Sequence, residues 1–578
     1  MTTDTAALMD RRLLGLEQEG VDVVIIGAGI NGAGLFRDLC EQGLSCLIVE
    51  KSDYGAGTSA APSRLIHGGL KYLETGEFGL VAQSTRERNL LLKNAPHCVE
   101  PLETFIPIFS WLRGIPAALR TLAGSKSAPR SRGAVLIKIG LSMYDFYGAK
   151  FRVMPRHRMI SRRKALADMP HLTPKIAAGG FYHDAKISRP ERLVYELVQD
   201  GLAAQPLSAA INRASLVRSE DGKLTFSREG GGPVSVRPRL VVNAAGPWID
   251  QVNAALGENS RLIGGTKGSH IILDHPELVA SLKGRMIYFE ADDGRILLVY
   301  DYLGRAMVGS TDIKADDPDN VRCEEEEIDY FLASLDALLP GLKVTRDHIV
   351  YAYSGIRPLP ASDAANVGLI SRDHSAPWLE PRAGRSFPVV SLVGGKWTTF
   401  RGFAEEVADA VLARLGATRR RSTETLPIGG GKDFPQDAAA RRRWCETAAR
   451  ETGASTERAG ELLARYGTTA RAILAAEGPS APRLPDSRSY SLPELVWVAC
   501  QEHVLHLSDI VFRRTTLAVR GDLTGADLAA LADVVGDALG WDDDRRSREA
   551  VAVRDDLARN HRRTVVLPAS LTPADRTA

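Results

Sequence analysis

Four residues in the second half of the chain carry reactive side chains in segments that suit a concave site. They are His270 in "TKGSHIIL", Arg357 in "SGIRPL", Arg372 in "ISRDH" and Lys396 in "GGKWTT". Converging cations can neutralise a phosphate group. A histidine whose pKa lies near the working pH can accept a proton from a hydroxyl group. These residue types therefore suit proton abstraction beside a bound phosphate group.

A structural explanation competes with the functional one, and its strength differs from residue to residue. Arg372 precedes Asp373, and taken alone the two are best explained as a surface ion pair, which contributes little stability. His270 alone is better explained as a hydrogen-bonded structural histidine at a sheet edge. Arg357, before a turn that Pro358 stiffens, and Lys396 lie in apolar, glycine-rich segments where a solvated role is less natural.

A turn near the N-terminus has the spacing of a dinucleotide site. An apolar run at 21–26, typical of a buried parallel strand, precedes Gly27, Gly29 and Gly32. These glycines permit a tight turn, approach of the backbone to a pyrophosphate and close helix packing, and the helix N-terminus attracts the phosphates. Glu50 ends the next strand, where it can accept hydrogen bonds from ribose hydroxyls. Phe36 departs from the pattern, because such helices usually carry a small residue there, so local packing should differ.

Two further segments favour FAD over NAD. "GTSAAPSRLIHGGLKYLE" (57–74) can lie flat against a ring system, although an ordinary surface loop is the alternative. In "VGGKWTTF" backbone N–H groups can face the flavin edge where reduction builds negative charge, and a simple strand–turn–helix joint is the alternative. The predicted cofactor-binding residues are Gly27, Gly29, Asn31, Gly32, Glu50, Thr58, Ser59, His67, Gly68, Gly394, Gly395, Lys396 and Thr398.

The composition excludes several classes of protein. The 578 residues are too many for one hydrophobic core and allow two or three domains. A net charge of +2 argues against a nucleic-acid binder. Six cysteines without CxxC spacing argue against a zinc site or a disulfide framework and fit a reducing cytosol. No secretory signal is visible, and no apolar stretch approaches the roughly 20 residues of a spanning helix, so we expect a protein that is soluble or lies on a membrane.

The chain resembles the FAD-dependent, quinone-linked (aerobic) glycerol-3-phosphate dehydrogenases of the D-amino-acid-oxidase-like flavoprotein superfamily. The segments that carry the resemblance are "IIGAGINGAG", "SRLIHGGLKYLE", "VVNAAGPW", "KGSHIIL", "VGSTD", "YSGIRPL", "ISRDH" and "VGGKWTTFR". They follow the family's order from residue 22 to about residue 401, and "EHVLHLSDIVFRRTTLA" (502–518) is similar to the family's C-terminal cap domain.

The resemblance implies an α/β protein with three parts. These are an FAD-binding, Rossmann-like domain of the glutathione-reductase type, a substrate domain with an antiparallel sheet, and an all-α C-terminal domain. We expect an N-terminal arm at 1–20, the first two domains interleaved in 21–425, and the helical domain at 434–570. The FAD-binding parts are about 21–105, 175–260 and 350–425, and the substrate-binding parts about 106–174 and 261–349.

The resemblance also implies a reaction, the oxidation of sn-glycerol 3-phosphate to dihydroxyacetone phosphate, with electrons passing from FAD to a membrane quinone. It places Arg357, Arg372 and Lys396 around the substrate and its phosphate. It favours His270 as the base, with Arg357 stabilising the substrate oxygen.

Three neighbouring residues have less definite assignments. His67 is a rival base and is better assigned to the flavin. Lys71 and Tyr72 are assigned to the substrate. Bacterial relatives often carry arginine at the Lys71 position, and lysine keeps the charge but lacks the bidentate fork, which puts a direct phosphate contact in doubt.

Residues 105–144 suggest contact with an anionic membrane surface. They contain no Asp or Glu and combine six basic residues with Trp111 and several aliphatic side chains. A flexible basic insertion whose apolar parts belong to the core is the alternative. The hypothesis places the protein in the cytoplasm, peripherally associated with the inner face of the plasma membrane, with 112–132 as the docking segment. The family also implies a homodimer, and without interleaved aromatic residues nucleic-acid binding is not expected.

Two other functions stay open from the residues alone. A glycerophosphate oxidase that uses O2, or an amino- or hydroxy-acid oxidase on the same fold, would share the flavin motifs, although an amino-acid oxidase would need a single arginine and not several cations. A non-catalytic binding protein with a dinucleotide fold should have lost "IHGG" and "GGKWTT", and both are present.

Overall fold

The computed structural model describes residues 3–73, 76–111, 133–148, 153–291, 293–315, 317–361 and 373–571. The α-helices are Thr3–Glu19, Ile30–Glu41, Phe78–Asn94, Ala134–Tyr147, Arg162–Asp168, Pro190–Ala204, Ile249–Ala255, Pro276–Leu282, Glu325–Leu338, Phe400–Leu415, Ala438–Thr452, Thr456–Tyr466, Ala470–Glu477, Leu492–Gln501, Leu507–Asp509, Leu517–Arg520, Gly525–Leu539 and Asp543–His561. None of the described helices combines the length and apolar content that crossing a membrane requires.

The first sheet is the parallel sheet that the N-terminal motif predicts. Its six strands are, in spatial order, Trp378–Leu379, Val389–Ser391, Pro238–Asn243, Val21–Ile26, Cys46–Val49 and Ala209–Ile211. All neighbours run parallel except the edge strand 378–379. The central strand is buried on both faces, which explains its continuous run of aliphatic residues. Helix Ile30–Glu41 connects it to its neighbour, as in a dinucleotide-binding unit.

Phe36 fits this helix because a second glycine makes room for its ring. The side chain is fully buried. It packs on Gly201 of helix Pro190–Ala204, where an added Cβ would lie 2.6 Å from the ring. Gly201 in the facing helix thus provides the space that the Phe36 ring occupies.

The second sheet has ten strands and is mainly antiparallel. Its path is Ile313–Lys314, Ile263–Leu273, Arg305–Gly309, Ile296–Tyr302, Met286–Glu290, Val99–Ile108, Ala178–Ile187 and Leu65–Ile66, with Ile349–Pro360 paired to Ile263–Leu273 and Arg158–Ser161 paired to Ala178–Ile187. One face packs its aliphatic side chains, including Ile271 and Val308, against Phe331 of helix Glu325–Leu338.

The remaining strands form two small sheets. They are Ala214–Glu220, Lys223–Arg228 and Val234–Val236 in one, and His374–Ser375 and Val393–Gly394 in the other.

The pairing differs from the expected domain boundaries at four strands. Residues 65–66, 99–105, 178–187 and 350–360 fall in the expected FAD-binding parts, yet the strands that contain them all pair within the ten-stranded sheet. The sheet to which a strand belongs is decided by partners far away in the sequence, and the local hydrophobic pattern does not contain that information. The division into two interleaved domains and a helical third agrees with the predicted fold class.

The helices from Ala438 onward form the C-terminal domain. Their apolar side chains, such as Leu462, Leu495 and Leu531, share one core cluster with Ile272 and Tyr351 of the ten-stranded sheet. The domain is therefore packed onto the face of that sheet opposite helix Glu325–Leu338.

Candidate functional site

The glycine turn after the first strand is shaped by contacts between backbone atoms. Gly27 has a φ of +104°, and a Cβ there would lie 2.6 Å from the carbonyl oxygen of Ala244. A Cβ at Gly32 would collide with the carbonyl oxygen of Gly27. At Gly29 only Ser59 Oγ comes close, 3.1 Å from the added atom. Two of the glycines are therefore required by the fold itself, and Gly29 keeps space open beside the helix N-terminus.

The loop at 50–55, after strand Cys46–Val49, is hydrogen-bonded to the glycine turn. The Glu50 carboxylate accepts hydrogen bonds from the backbone N–H groups of Ala28, at 2.8 Å, and Ser52, at 3.0 Å. Burial raises the pKa of Glu50, and the two N–H donors partly offset that effect. Gly55 N–H donates to the carbonyl oxygen of Ala28 at 2.9 Å. Glu50 thus lies against the glycine turn and accepts hydrogen bonds from the protein backbone, and its contact with the ribose hydroxyls stays a prediction.

A second wall comes from the segment 394–399. Asn31 Nδ2 donates to the carbonyl oxygen of Gly394 at 3.3 Å, and Trp397 Nε1 donates to that of Ser59 at 3.3 Å. Gly394 and Gly395 both have positive φ. Among the described residues, Asn31 Oδ1 is a buried acceptor with no hydrogen-bond partner. A buried acceptor without a partner can receive a hydrogen bond from a hydroxyl or N–H group of a bound dinucleotide, so these residues fit FAD.

The segment at 58–68 is held on the same wall. Ser59 Oγ accepts from Ile30 N–H at 2.9 Å, and Thr58 Oγ1 donates to the carbonyl oxygen of Ile356 at 2.6 Å. Thr398 Oγ1 accepts from His67 N–H at 3.2 Å, which joins two predicted cofactor residues to each other.

The amide of Gly68 is held by the protein itself. Its N–H donates to Tyr144 Oη and Asp184 Oδ1, at 2.8 and 3.1 Å. A Cβ at Gly68 would also meet the side chains of Tyr144 and Thr85. A role for Gly68 in FAD binding stays a prediction, which rests on atoms other than its N–H.

His270 lies inside a strand of the ten-stranded sheet and not at a sheet edge. It pairs with Gly309 on one side and Tyr353 on the other. Nε2 lies 2.8 Å from Ser63 Oγ, and the ring stacks on that of Tyr353 with 4.8 Å between centroids. Nδ1 is buried and has no hydrogen-bond partner within the described part of the chain.

The imidazole of His270 is neutral. Burial lowers its pKa well below the usual value, and the nearby guanidinium groups of Arg357 and Arg64 lower the pKa further. A neutral imidazole with one ring nitrogen unsatisfied can accept a proton.

Arg357 lies on the same face of the sheet as His270. The register pairs Arg357 with Thr266 and Gly355 with Gly268, so alternate residues of the two strands point the same way. A Cβ at Gly268 would overlap the Arg357 guanidinium. A Cβ at Gly309 would likewise overlap the His270 ring, so Gly268 and Gly309 make room for the cation and the histidine.

The segment "GSTD" holds the Arg357 guanidinium in place. Nη2 donates to Ser310 Oγ at 3.0 Å, and Nη1 donates to the carbonyl oxygen of Thr311 and to Asp312 Oδ1, both at 3.2 Å. The predicted turn at Pro358 is absent, since both residues lie within the twelve-residue strand Ile349–Pro360.

Lys396 is nearly buried, with 9% of its surface exposed. Its Nζ donates to Ser84 Oγ at 3.1 Å and lies 3.6 Å from the centre of the Tyr72 ring. Two residues predicted to bind substrate, Lys396 and Tyr72, are thus in contact. The side chain of Lys71, all of Arg372 and the segment 112–132 lie outside the described residues.

Sequence reasoning missed several residues of this site. Ser63 and Tyr353 contact His270, and Ser84 accepts a hydrogen bond from Lys396. Ser63 and Tyr353 lie in the segments "SRLIHGGLKYLE" and "YSGIRPL" of the family resemblance, whereas nothing in the local sequence marks Ser84. Ser310 and Asp312 had a signal, because "VGSTD" is one of the segments of the family resemblance.

Comparison with known families agrees with this geometry. A family model described as FAD dependent oxidoreductase matches residues 22–410. A second, described as the C-terminal domain of alpha-glycerophosphate oxidase, matches residues 421–546. Together the two cover most of the chain.

Two curated relatives extend over nearly the whole chain. The glycerol-3-phosphate dehydrogenase of Synechocystis sp. is 34% identical, over 91% of this chain and 94% of its own length. Glycerol-3-phosphate dehydrogenase 2 of Mycobacterium tuberculosis is 30% identical, over 91% of this chain and 86% of its own. Among solved structures, the glycerol-3-phosphate dehydrogenase from Bacillus halodurans complexed with FAD has a TM-score of 0.72 at 21% identity and covers 98% of this chain and 99% of its own. That likeness shows the fold.

Proposed function

Because the chain belongs to the family of FAD-dependent glycerol-3-phosphate dehydrogenases, we propose that it oxidises sn-glycerol 3-phosphate to dihydroxyacetone phosphate by hydride transfer to FAD. The observation that carries the proposal is the pair of His270 and Arg357 on one glycine-cleared face of the ten-stranded sheet. A neutral acceptor of protons and a fixed guanidinium are what an alcohol needs as it becomes a ketone.

In this proposal His270 takes the proton of the substrate hydroxyl. If Nε2 donates to Ser63 Oγ, the lone pair remains on Nδ1, the atom without a partner among the described residues. Stacking on Tyr353 prevents the ring from turning. Arg357 stabilises negative charge on the substrate oxygen, because Ser310 and Asp312 hold its guanidinium in one place before the substrate arrives.

Lys396 is proposed to bind the phosphate group. The Lys396 side chain is nearly buried, and Ser84 and Tyr72 orient its ammonium group. Most of its hydration is therefore already removed when the protein folds, and little more has to be removed when the phosphate binds. Arg372 and Lys71 are proposed to complete the phosphate site on the strength of the resemblance alone.

The test is an anaerobic titration of the flavin. We expect sn-glycerol 3-phosphate to bleach the absorbance of the bound FAD near 450 nm, whereas glycerol, which lacks the phosphate, should not at the same concentration. Absence of bleaching with the phosphorylated substrate would remove the proposed reaction. Reoxidation of the bleached protein, first with a soluble quinone and then with O2, decides between the dehydrogenase and the oxidase; we propose the quinone as acceptor.

A quinone acceptor requires contact with a bilayer, and an exposed apolar stripe suits that contact. On helix Ala134–Tyr147, Val135, Ile139 and Phe146 lie on one side of the helix and are 41, 53 and 76% exposed. Trp111 is 60% exposed and directly precedes the basic segment 112–132 in the sequence. We propose that this stripe and the basic segment dock on an anionic cytoplasmic membrane surface.

Vesicle sedimentation tests the docking proposal. We expect Ile139→Gln/Phe146→Gln, and separately deletion of 112–132, to reduce binding to vesicles that contain anionic lipid, with flavin bleaching unchanged. Leu14→Gln is the matched control, because Leu14 is also half-exposed but lies on the N-terminal helix. Binding that is equal in all four proteins would refute this surface as the docking site.

A further inference from the structure

The C-terminal domain reaches the cofactor-binding domain through a buried ion pair. Arg514 donates from Nη1 to Asp53 Oδ2 at 2.6 Å and from Nη2 to Asp53 Oδ1 at 3.0 Å. The Arg514 side chain is 0% exposed and that of Asp53 is 2% exposed. Burial raises the pKa of Asp53, but the Arg514 guanidinium, the hydrogen bond from Asn212 and the charge of Arg513 together hold the pKa below the usual value. Asp53 therefore stays charged in the interior.

Asp53 belongs to the loop that supports the glycine turn. The carbonyl oxygen of Asp53 accepts from Ala56 N–H at 3.0 Å, and between them Gly55 N–H donates to the carbonyl oxygen of Ala28. Glu50, at the start of the same loop, accepts from Ala28 N–H. Ala28 lies in the middle of the turn, and both its N–H group and its carbonyl oxygen are thus held by residues 50–55.

Further contacts hold Arg514 against the same region. Arg514 Nη2 donates to the carbonyl oxygen of Glu502 at 2.9 Å, and the Glu502 carboxylate pairs with Arg192 at 2.6 Å. Arg192 is on helix Pro190–Ala204 of the cofactor-binding domain. Asn212 Nδ2 donates both to Asp53 Oδ1 and to the carbonyl oxygen of His503, each at 3.0 Å.

A second residue of the loop makes a similar contact. Tyr54, fully buried, places its hydroxyl 3.0 Å from Nδ1 of His503. Two consecutive loop residues therefore make side-chain contacts with the C-terminal domain as well as with the domain in which they lie in sequence.

We infer that the C-terminal domain completes the cofactor site, and that Arg514 is a positioning residue that sets the affinity for FAD through Asp53. Removal of one partner leaves the other as an uncompensated buried charge, which is strongly unfavourable. Asp53 would then move toward water, and the loop that holds the Ala28 peptide unit would move with it. The glycine turn would lose its shape although none of its own residues had changed.

The experiment measures FAD binding to apoprotein by fluorescence quenching, and it needs no turnover, so its outcome is independent of the proposed substrate. We expect Arg514→Gln to raise the Kd for FAD by roughly tenfold or more. Arg514→Lys, which keeps the charge and loses the fork, should have an intermediate effect. Asp53→Asn/Arg514→Gln, which removes both charges, should bind FAD more tightly than Arg514→Gln alone.

Arg458→Gln is the matched control. Arg458 also forms a buried ion pair, with Glu477 and Glu494, but all three residues lie within the C-terminal domain. It should lower the Tm of the apoprotein as Arg514→Gln does and leave the Kd for FAD within about twofold of the natural protein. If Arg514→Gln lowers the Tm and leaves the Kd equally unchanged, the ion pair only stabilises the fold and the inference is overturned. Should Arg514→Gln not fold, an unchanged Kd in both Arg514→Lys and Asp53→Asn would overturn it.

Discussion

The glycines of the nucleotide turn make room for backbone atoms, whereas those on the proposed catalytic face of the ten-stranded sheet make room for side chains. At Gly27 and Gly32 an added Cβ would meet backbone atoms of Ala244 and of Gly27 itself. At Gly268 and Gly309 it would meet the side chains of Arg357 and His270. The turn brings main chain close to main chain, whereas the proposed catalytic face leaves room for long polar side chains.

This difference predicts that substitutions in the turn affect the fold and FAD binding, whereas substitutions on the sheet affect the reaction. Backbone atoms in a packed turn cannot yield without moving two strands and a helix, so a substitution there should abolish the cofactor site. The tip of a side chain can yield, so a substitution on the sheet should leave FAD bound and disturb only the reacting groups. The following experiments test whether that division holds.

The largest effect is expected for Gly32→Ala. The new Cβ would collide with the carbonyl oxygen of Gly27, so the helix must move away from the strand, with a loss of about 3 kcal/mol in the free energy of unfolding. FAD should no longer copurify, as the ratio of absorbance at 450 and 280 nm will show.

Gly15→Ala serves as the control for Gly32→Ala. Gly15 lies inside helix Thr3–Glu19 with no atom within 4 Å of the added Cβ, so this variant should gain about 0.5–1 kcal/mol and keep its FAD. Equal behaviour of the two variants would break the argument that the turn is fixed by backbone contacts.

Gly29→Ala separates the cofactor from the fold. Gly29 has a negative φ, and only Ser59 Oγ, at 3.1 Å, is close to the added atom, so the apoprotein should lose less than about 1 kcal/mol. If the open space belongs to the pyrophosphate, the Kd for FAD should rise by about 10- to 100-fold, measured by fluorescence quenching. An unchanged Kd would show that the cofactor does not use this space.

The nucleotide turn could be predicted from sequence because its contacts are local. Gly27, Gly32 and Glu50 lie within 24 residues, and each has a requirement that the residue type itself reveals. The predictions of FAD as the cofactor and of the fold class are both confirmed. They could be made from the sequence because they depend on this motif and on the order of the other segments along the chain.

The proposed catalytic face could be predicted only in part. The segments around His270 and Arg357 mark them as candidates, but the stacking of His270 on Tyr353 joins residues 83 positions apart in the sequence and depends on strand register. Lys396 is held by Ser84, 312 residues away. At Gly68, which is predicted to bind the cofactor, the local sequence does not reveal that the N–H donates to Tyr144 and that an added Cβ would meet its side chain.

Gly268→Ala tests the catalytic side of the comparison. The Arg357 guanidinium must shift from its contacts with Ser310 and Asp312, and kcat/KM should fall by about 100-fold, because a displacement of the order of 1 Å is that costly in an active site. The Kd for FAD should stay unchanged. Arg357→Lys should match this loss. If Gly268→Ala loses FAD instead, the sheet and the turn are not separable in the way proposed.

The smallest effect is expected in the dependence of kcat on pH. Burial, and after it Arg357 and Arg64, lowers the pKa of His270 well below its usual value, so the imidazole stays neutral across pH 6.5–8 and kcat should be flat there. Activity should fall only on acidification, as the pH passes through the folded-state pKa and the proton acceptor is lost. Stability follows the same sign: the unfolded chain takes up its proton near pH 6.5, so the contribution of His270 is complete above that pH and declines below it. Arg357→Gln removes one of the positive charges, and the acid limb should then move toward higher pH. A limb at or above pH 6.5 that Arg357→Gln leaves in place would mean that another group takes the proton, and that His270 is a structural residue of the sheet.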